Sequence, residues 1–519
     1  SSSTIAAGAT TGTITLTASA SAPAISAAAI SITGTGAGVT VASQPVALSV
    51  TSANGATIAL ASATGSIESG RSGTLVVTVT RAGTFTGAVT VNATALPTGV
   101  TVASQTVAAG ATTATLTFTT NLGAAAATTP LSVTATGSGI TIAPQSYALT
   151  ITAGPIAQLG NDMTSADPDY AAHLALNADG TRIIVSAQNT ANGTTRVYER
   201  TGATWTQVGA DIVGEASGDR AGISVAMNAS GSRIAVGAYL NDDGGTNAGH
   251  IRVYDLVAGA WTQVGADING EGTSWNLGYR VALNASGSRL LASGNERAKV
   301  YDLVSGAWTQ VGNTLSGGNA FGEASDISSD GTTITVASAS AAGSSRAGTV
   351  QVFRLVSNVW TMLGGVLQGE QISDVFGSDL SLSATGNRIA VSAPNDREGG
   401  VSGGGSPAGK VRVFDLVGGV WTQVGADIVG STGLNGENLG ETLTLSDDGS
   451  RLAATGSSQN LFKIFTLTSG AWVQTGPTVV GYGTAGRPVG LTISADGRTI
   501  AAGYINGTPR IARAFRITP

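Results

Sequence analysis

Several residue types are scarce in this 519-residue sequence. It contains no cysteine, two histidines and three methionines, and charged residues make up 11% of the chain. The absence of cysteine excludes disulfides and thiolate metal sites. The two histidines, His173 and His250, lie far apart in the chain. The sequence therefore predicts neither a Ser-His-Asp triad nor a histidine-based metal site, and we expect no metal, no cofactor and no catalytic residues.

Long apolar runs and excess positive charge are missing as well. No run of about 18 apolar residues occurs, so no membrane-spanning helix is predicted. The formal net charge is −6, and no basic stripe is present that could neutralise phosphates. We therefore expect no nucleic-acid partner. A chain without thiols fits a bacterial surface or secreted protein, which predicts an extracellular or cell-surface location.

Glycine and small or β-branched residues are abundant instead. The chain has 74 glycines, and 42% of its residues are hydrophobic. This composition is typical of strands joined by tight turns, and it is too apolar for a disordered chain. The length is sufficient for two or three domains. We predict an all-β fold.

The clearest repeat is the segment 261–268, which reads WTQVGADI. A degenerate copy occupies 156–163, and the other near-copies begin at Trp205, Trp308, Trp360, Trp421 and Trp472. Large apolar residues alternate with small or polar ones in each copy, which is the pattern of a strand. Seven copies of this segment, one after another along the chain, indicate a repeat architecture.

Each repeat contains four strand patterns and no helical pattern. One unit has apolar segments at 222–227, 233–238 and 251–256, followed by the Trp261 strand. Seven such units predict a seven-bladed β-propeller over residues 154–519. The series opens with a fourth strand at 156–163 and ends with a third strand at 511–517. We expect these two to pair and close the ring, because pairing leaves no open edge.

Phe-Gly pairs recur near the first strand of the units, at Phe376-Gly377 and Phe321-Gly322, and Ser392-Ala393-Pro394 follows in one of them. On these residues the chain resembles the FG-GAP propellers, which include integrin α-chain heads. The resemblance covers about 156–519 and implies a ligand-binding propeller. The first hairpin turns are short, as at 177–180, and they lack the alternating acidic loop that holds calcium in that family.

The N-terminal part predicts β-sandwich domains. Short β-branched segments separated by Gly, Pro and Ser turns fill residues 51–153. This part resembles the Ig-like repeats of bacterial surface proteins, notably at 95–100. Residues 1–50 match the second half of that domain and predict a partial Ig-like domain. We expect it to be completed by another polypeptide segment, with self-association through strand addition.

Two kinds of loop residue are candidates for binding a ligand. Trp275, close to Tyr279, lies outside the repeat register and is either a surface binding residue or a packing residue, whereas the repeated tryptophans are expected to pack between blades. Two acidic loops are either oxygen-rich ligand sites or ordinary turns. Their candidate residues are Asp242, Asp243, Asp396, Arg397 and Glu398. The segment 404–410 imitates a phosphate-binding loop, but Val411 follows the lysine, so no nucleotide site is predicted.

Loop lengths indicate which face of the propeller recognises a partner. The first and third turns of each unit are short, whereas the second turn and the connections between units vary in length. Variable loops on a rigid scaffold are where recognition usually lies. We interpret the chain as an extracellular structural protein, self-assembling or stalk-like, that is not an enzyme. The alternatives are an adhesin that binds a protein or glycan through the variable face, and a carbohydrate-active enzyme.

Overall fold

A computed structural model describes the chain at residues 3–18, 25–50, 54–120, 124, 126–318, 320–339, 347–372, 374–397, 407–431, 436–480, 487–505 and 509–518. The described residues are all-β, as predicted, and their one helix is the 3-10 turn Ser457–Gln459. None of them forms a helix with the length and apolarity to cross a membrane. The chain divides into two compact units, Ser1–Ala153 and Gly154–Pro519.

The first four strands form two small antiparallel sheets. Strand β1 pairs with β4, and β2 pairs with β3. Their bounds are β1 Ile25–Ile32, β2 Thr35–Gly36, β3 Val39–Thr40 and β4 Gln44–Val50. Val39, Val41 and Val46 are all exposed. Association of this part with another chain through strand addition stays a prediction.

The rest of the first unit contains two sheets around one core. The five-stranded sheet has the order β10-β8-β12-β13-β6, and the four-stranded sheet has the order β5-β7-β11-β9. Apolar side chains alternate with exposed ones in β7 and β11, as period-2 strands require. The bounds are β5 Gly55–Leu60, β6 Thr64–Glu68, β7 Ser72–Ala82, β8 Val89–Thr94, β9 Val100–Val102, β10 Gln105–Val107, β11 Thr113–Thr120, β12 Ala127–Gly137 and β13 Gln145–Thr152.

The described residues of the second unit form seven antiparallel sheets built on one plan. Four consecutive strands form a meander, and a short fifth strand pairs back onto the third strand in most sheets. The first three sheets in chain order comprise β16 Leu174–Leu176, β17 Arg182–Ala187, β18 Thr194–Thr201, β19 Thr204–Gln207 and β20 Ile212–Val213; then β21 Ser224–Met227, β22 Arg233–Ala238, β23 His250–Val257, β24 Ala260–Gln263 and β25 Ile268–Asn269; then β26 Arg280–Leu283, β27 Arg289–Gly294, β28 Arg297–Val304 and β29 Ala307–Ser316.

The next three sheets follow the same plan. They comprise β30 Phe321–Ile327, β31 Thr333–Ser338, β32 Thr349–Val356, β33 Val359–Met362 and β34 Leu367–Gln368; then β35 Leu380–Leu382, β36 Arg388–Ala393, β37 Lys410–Val417, β38 Val420–Gln423 and β39 Ile428–Val429; then β40 Leu439–Leu445, β41 Arg451–Gly456, β42 Leu461–Thr468, β43 Ala471–Gln474 and β44 Val479–Val480. The remaining sheet joins the two ends of the unit through β45 Pro488–Ile493, β46 Thr499–Tyr504, β47 Arg510–Ile517, β14 Ile156–Gln158 and β15 Met163–Ser165.

The joining sheet confirms the predicted pairing of the two ends. Ile156 lies opposite Ile517, and Met163 lies opposite Ala512. Seven backbone hydrogen bonds of 2.8–3.1 Å also link the first turns of neighbouring sheets in a closed cycle. The residues of that cycle, each amide donating to the next carbonyl, are Ala178, Ala229, Ala285, Ser329, Ala384, Asp447 and Ala495, whose amide donates back to Ala178.

The repeated tryptophans hold adjacent sheets together. Each indole nitrogen donates to a backbone carbonyl of the preceding sheet at 2.8–3.1 Å. The donor and acceptor pairs are Trp205 and Leu159, Trp261 and Val208, Trp308 and Val264, Trp360 and Val311, Trp421 and Leu363, and Trp472 and Val424. A buried indole therefore contributes both apolar area and a satisfied polar group.

The Phe-Gly pairs have a packing role. Phe376 is fully buried, and Gly377 has a φ of 88° while its amide donates to the carbonyl of Ser392 at 2.8 Å. A Cβ at Gly377 would lie 3.0 Å from the Cβ of Ala337 in the neighbouring sheet. Both the left-handed backbone and the close approach therefore favour glycine at this position.

Candidate functional site

We call the position at which the chain enters the innermost strand of each sheet the entrance position. The residue type at this position differs from sheet to sheet. Aligned by their pairing with the second strand, the seven equivalent residues are His173, Ser224, Arg280, Ala324, Asp379, Thr442 and Gly490. The position at the far end of the same strands is apolar in every sheet, with Leu176, Met227, Leu283, Ile327, Leu382, Leu445 and Ile493. Packing between sheets thus requires an apolar residue at the far end, whereas the entrance position accepts polar, charged and small residues.

The variable entrance residues surround a cavity of about 170 Å³, which we call the axial cavity. His173, Arg280, Asp379 and Glu441 line it together with Ser224, Ser378 and Thr442. It lies at the end of the innermost strands where the connections between sheets enter. This is the face on which the sequence places its variable loops. The cavity brings a histidine, an arginine and two carboxyl groups together on a rigid frame.

Burial and Arg280 set the protonation of this cavity. Desolvation by burial and, to a smaller extent, the charge of Arg280 lower the pKa of His173 to about 3. The imidazole is therefore neutral at physiological pH. Burial raises the pKa of Asp379 to about 6, while backbone hydrogen bonds from Leu443 and Leu380 and the charge of Arg280 oppose that rise. The carboxyl of Asp379 therefore titrates close to neutrality.

Arg487 adds a second cation beside the axial cavity. Its guanidinium forms an ion pair with Glu441, and burial lowers the pKa of Arg487 from its usual value. Glu441 Oε2 and Arg487 Nε are buried and have no hydrogen-bond partner among the described residues. A bound polar ligand could satisfy them. The cavity therefore has both a donor and an acceptor beside it that lack partners among the described residues.

A second cavity, which we call the side pocket, has a volume of about 400 Å³. Its walls include Tyr239 and Tyr279, whose rings contact edge to face at 5.6 Å, and the carboxylates Glu296 and Glu323. Arg280 connects it electrostatically to the axial cavity, because Arg280 opposes the rise that burial imposes on the pKa of Glu323. Aromatic rings beside carboxylates are surfaces that suit a sugar.

A third cavity, of about 230 Å³, lies at the far end of the innermost strands and is lined by Asp326 and Asp447. Asp326 accepts hydrogen bonds from the amides of Ile327 and Leu382, each at 2.8 Å. Leu382 belongs to the innermost strand of the next sheet. Asp326 therefore caps an edge amide that no strand pairs. The residues that line this cavity therefore hold neighbouring sheets together.

The sequence-predicted site residues do not form one site. Tyr279 lies in the side pocket. Trp275 is 3% exposed and packs inside the core, with Lys299 Nζ 4.9 Å and Arg297 Cζ 5.5 Å from its ring centroids, so it presents no surface for a ligand. Ser274 and Asn276 on either side have positive φ angles, and this tight loop places the indole inward.

The two predicted acidic loops occupy equivalent places in different sheets. Asp242 accepts a hydrogen bond from the amide of Asn247, as in an ordinary turn. Asp243 lies with Glu215, His250 and Asp267, whose ligating atoms are all within 4.8 Å of one another. In the other loop, Asp396 is buried 3.3 Å from Lys410 Nζ and Arg397 is exposed. Glu398 lies outside the described residues.

The axial residues were missed from the sequence because each is an isolated residue in its own repeat. His173, Arg280, Asp379 and Glu441 share no motif, and the meander topology alone brings them together. One signal was available. An alignment of the seven repeats on their second strands would have exposed the entrance position as the one that changes chemical type in every unit.

No family model and no curated protein sequence matches the chain. Solved structures do resemble it. A candidate 6-phosphogluconolactonase from Bacteroides uniformis is 13% identical, covers 65% of this chain and 94% of its own, and gives a TM-score of 0.45. The periplasmic gluconolactonase of Pseudomonas aeruginosa is 16% identical, with 67% and 99% coverage and a TM-score of 0.44. An auxiliary nutrient binding protein from Bacteroides ovatus is 10% identical, with 89% and 97% coverage and a TM-score of 0.36.

These matches correct the functional interpretation of the sequence. The chain was expected to be a stalk-like structural protein that is not an enzyme. That expectation is wrong, since the solved structures with similar β-structure include proteins named as lactonases. The likeness accords with a propeller-type all-β fold, and at this identity it transfers no substrate to the chain. The FG-GAP and Ig-like assignments stay predictions.

Proposed function

We propose that this protein is a hydrolase that acts on a small sugar-derived ester or lactone in the axial cavity. One observation carries the proposal: neutral His173, cationic Arg280 and the carboxyl of Asp379, which come from three different sheets, line one cavity. The volume of about 170 Å³ suits a ligand with one six-membered ring. This proposal takes up the carbohydrate-active alternative of the sequence interpretation.

The chemistry needs a base for water and a partner for the developing oxyanion. Asp379 has a pKa of about 6 and is ionised at pH 7.5, so its carboxylate can take a proton from water as the water oxygen attacks the acyl carbon. Arg280 lines the same cavity and would supply the positive charge that stabilises the tetrahedral oxyanion. When the acyl carbon–oxygen bond breaks, the protonated Asp379 returns its proton to the leaving alkoxide. His173 stays neutral and orients the ligand by hydrogen bonding.

A pH-stat assay of the purified chain tests this proposal. Aldonolactones and sugar acetyl esters are supplied at pH 7.5, and acid release is compared with the spontaneous rate. We expect turnover above that rate, and we expect Asp379→Asn and Arg280→Ala each to lower kcat/KM by about 10²- to 10³-fold. Asp447→Asn, in the third cavity, is the matched control and should retain activity. Turnover equal to the spontaneous rate, or two fully active site variants, would refute the proposal.

The finer architecture belongs to the same proposal. We infer that the seven sheets are the blades of one closed propeller of FG-GAP type, and that residues 51–153 form an Ig-like sandwich. The closed cycle of seven backbone hydrogen bonds supports the first inference. The two facing sheets around one apolar core support the second. An exported location fits the thiol-free composition, and detection of the native protein in a periplasmic or surface fraction would test it.

A further inference from the structure

A cluster of four side chains lies away from both cavities, at the outer part of the sheet that contains β21–β25. Glu215 and Asp243 are exposed, Asp267 is half-buried, and His250 is 1% exposed at the bottom of the cluster. Their ligating atoms all lie within 4.8 Å of one another. The tetrahedral edge between ligands of a first-row metal is about 3.4 Å, so a modest contraction would bring them into one coordination sphere.

The Nδ1 atom of His250 faces this cluster, 3.6 Å from Glu215 Oε2 and 3.9 Å from Asp243 Oδ2. It is buried and has no hydrogen-bond partner among the residues that the structure describes. A buried polar atom left unpaired costs free energy. Burial and the neighbouring charge of Arg252 lower the pKa of His250, which keeps the ring in the neutral form that binds metals.

The sheet that contains β35–β39 has a lysine at the position equivalent to His250. Lys410 is the first residue of β37, as His250 is the first residue of β23, and both pair with the short fifth strand. The ammonium of Lys410 lies 2.9 Å from Glu370, 3.3 Å from Asp396 and 3.1 Å from Asp427. Glu370 and Asp427 correspond to Glu215 and Asp267 in the repeat. A cation therefore fills this place in one sheet.

The His250 sheet has the acids without that cation. Arg252 contacts Glu215 Oε1 at 3.5 Å, just as Arg412 contacts Glu370. The two sheets differ in the first residue of the third strand and in the loop before it, where Asn241 takes the position of Asp396 and Asp243 supplies the third carboxylate. A neutral histidine among three carboxylates leaves a deficit of positive charge. Asp219, which is buried close by, deepens the deficit.

We propose that Glu215, Asp243, His250 and Asp267 form a binding site for one divalent transition-metal ion of the zinc or manganese class. One imidazole nitrogen and three carboxylate oxygens are the ligand set that these ions accept, whereas calcium takes oxygen ligands alone. The site revises the expectation that the chain binds no metal. Asp243 shares the 239–249 loop with Tyr239 of the side pocket, so the ion would also fix that wall.

Equilibrium dialysis with elemental analysis tests the site. The full chain is treated with a chelator, desalted, and dialysed against zinc chloride or manganese chloride alone. We expect about one ion per chain and a rise in Tm with metal. His250→Lys should bind no ion while staying folded, because Lys410 is accommodated between Glu370 and Asp427, the equivalents of Glu215 and Asp267. Asp243→Asn should weaken binding at least tenfold.

The chain provides its own control in its other histidine. His173→Ala removes an imidazole from the axial cavity and should leave metal binding unchanged. A wild-type chain that takes up no ion would overturn the proposal, as would His250→Lys protein that binds like the wild type.

Discussion

The amide of Leu176 donates a hydrogen bond to the hydroxyl of Thr492, 3.2 Å away. The two residues are 316 positions apart and lie on β16 and β45, the innermost strands of neighbouring sheets. Together with the pairing of β14 and β15 to β47, this bond connects the beginning and the end of the second unit.

Removal of β47 should therefore open the ring. Deletion of residues 510–519 takes away the buried side chains of Ile511, Phe515 and Ile517 and exposes the edge of β46. Each such side chain contributes about 1.5–3 kcal/mol, so we expect a loss of roughly 5 kcal/mol or more and a less cooperative thermal unfolding curve. Thr492→Val, which removes one hydrogen bond, should cost about 1 kcal/mol. A truncated chain with an unchanged melting curve would show that β47 does not close the ring.

The indole hydrogen bonds allow a matched comparison of two buried tryptophans. Trp205 Nε1 donates to the carbonyl of Leu159 at 2.8 Å, whereas Trp275 Nε1 is buried with no hydrogen-bond partner among the described residues. Trp205→Phe should lower the free energy of unfolding by about 1 kcal/mol more than Trp275→Phe, because only the first change orphans a buried carbonyl. Urea unfolding of both variants measures this difference. Equal losses of unfolding free energy in the two variants would show that the Trp205 hydrogen bond does not stabilise the protein.

The sequence was sufficient for the architecture because the same contacts recur in it. Each WTQ-type strand carries the indole that reaches the preceding sheet, and alternation identifies the strands. The sequence left the role of Trp275 open because it stands outside the repeat, and a loop with two positive φ angles turns it inward. The axial cavity depends on His173 and Asp379, from different sheets, lining the same space, and no local pattern specifies that arrangement. His250 looked isolated for the same reason, since Glu215 and Asp267 come from other loops.

Lys410 should be among the least replaceable charges of the chain. It is 2% exposed and contacts three carboxylates within 3.3 Å. Lys410→Met leaves those acids close together without their cation, and loss of one partner of a buried ion pair costs about 3–5 kcal/mol. Arg71→Met, which breaks the exposed pair with Glu68, should cost about 0–1 kcal/mol. Chemical denaturation of both variants provides the measurement, and a Lys410→Met protein as stable as Arg71→Met would contradict it.

Asp326 should make the propeller less stable as the pH rises. Burial raises the pKa of Asp326 to about 6, and backbone hydrogen bonds from Leu382 and Ile327 only partly oppose this. A carboxyl whose pKa is higher in the folded state than in the unfolded chain stabilises the fold fully below about pH 3.9. That contribution is lost as the pH rises through 6.

Asp326→Asn removes this titration, so its stability relative to the wild type should increase between pH 4 and pH 7.5 by up to about 3 kcal/mol. Asp330, in the same sheet, should change the pH dependence of stability in the opposite direction. Hydrogen bonds from Ser328 and Thr332 keep the pKa of Asp330 below its usual value although burial opposes them, and its contribution is therefore lost as the pH falls. Asp330→Asn should accordingly be most harmful at neutral pH. Urea titrations of the three proteins at pH 4 and pH 7.5 separate the two residues. The stabilising contributions of Asp326, a buried acid that caps the Leu382 amide, and of Asp330, a turn acid that accepts hydrogen bonds, must change with pH in opposite directions. A constant difference between wild type and Asp326→Asn across that range would mean that the Asp326 carboxyl ionises at the same pH in the folded and unfolded chain.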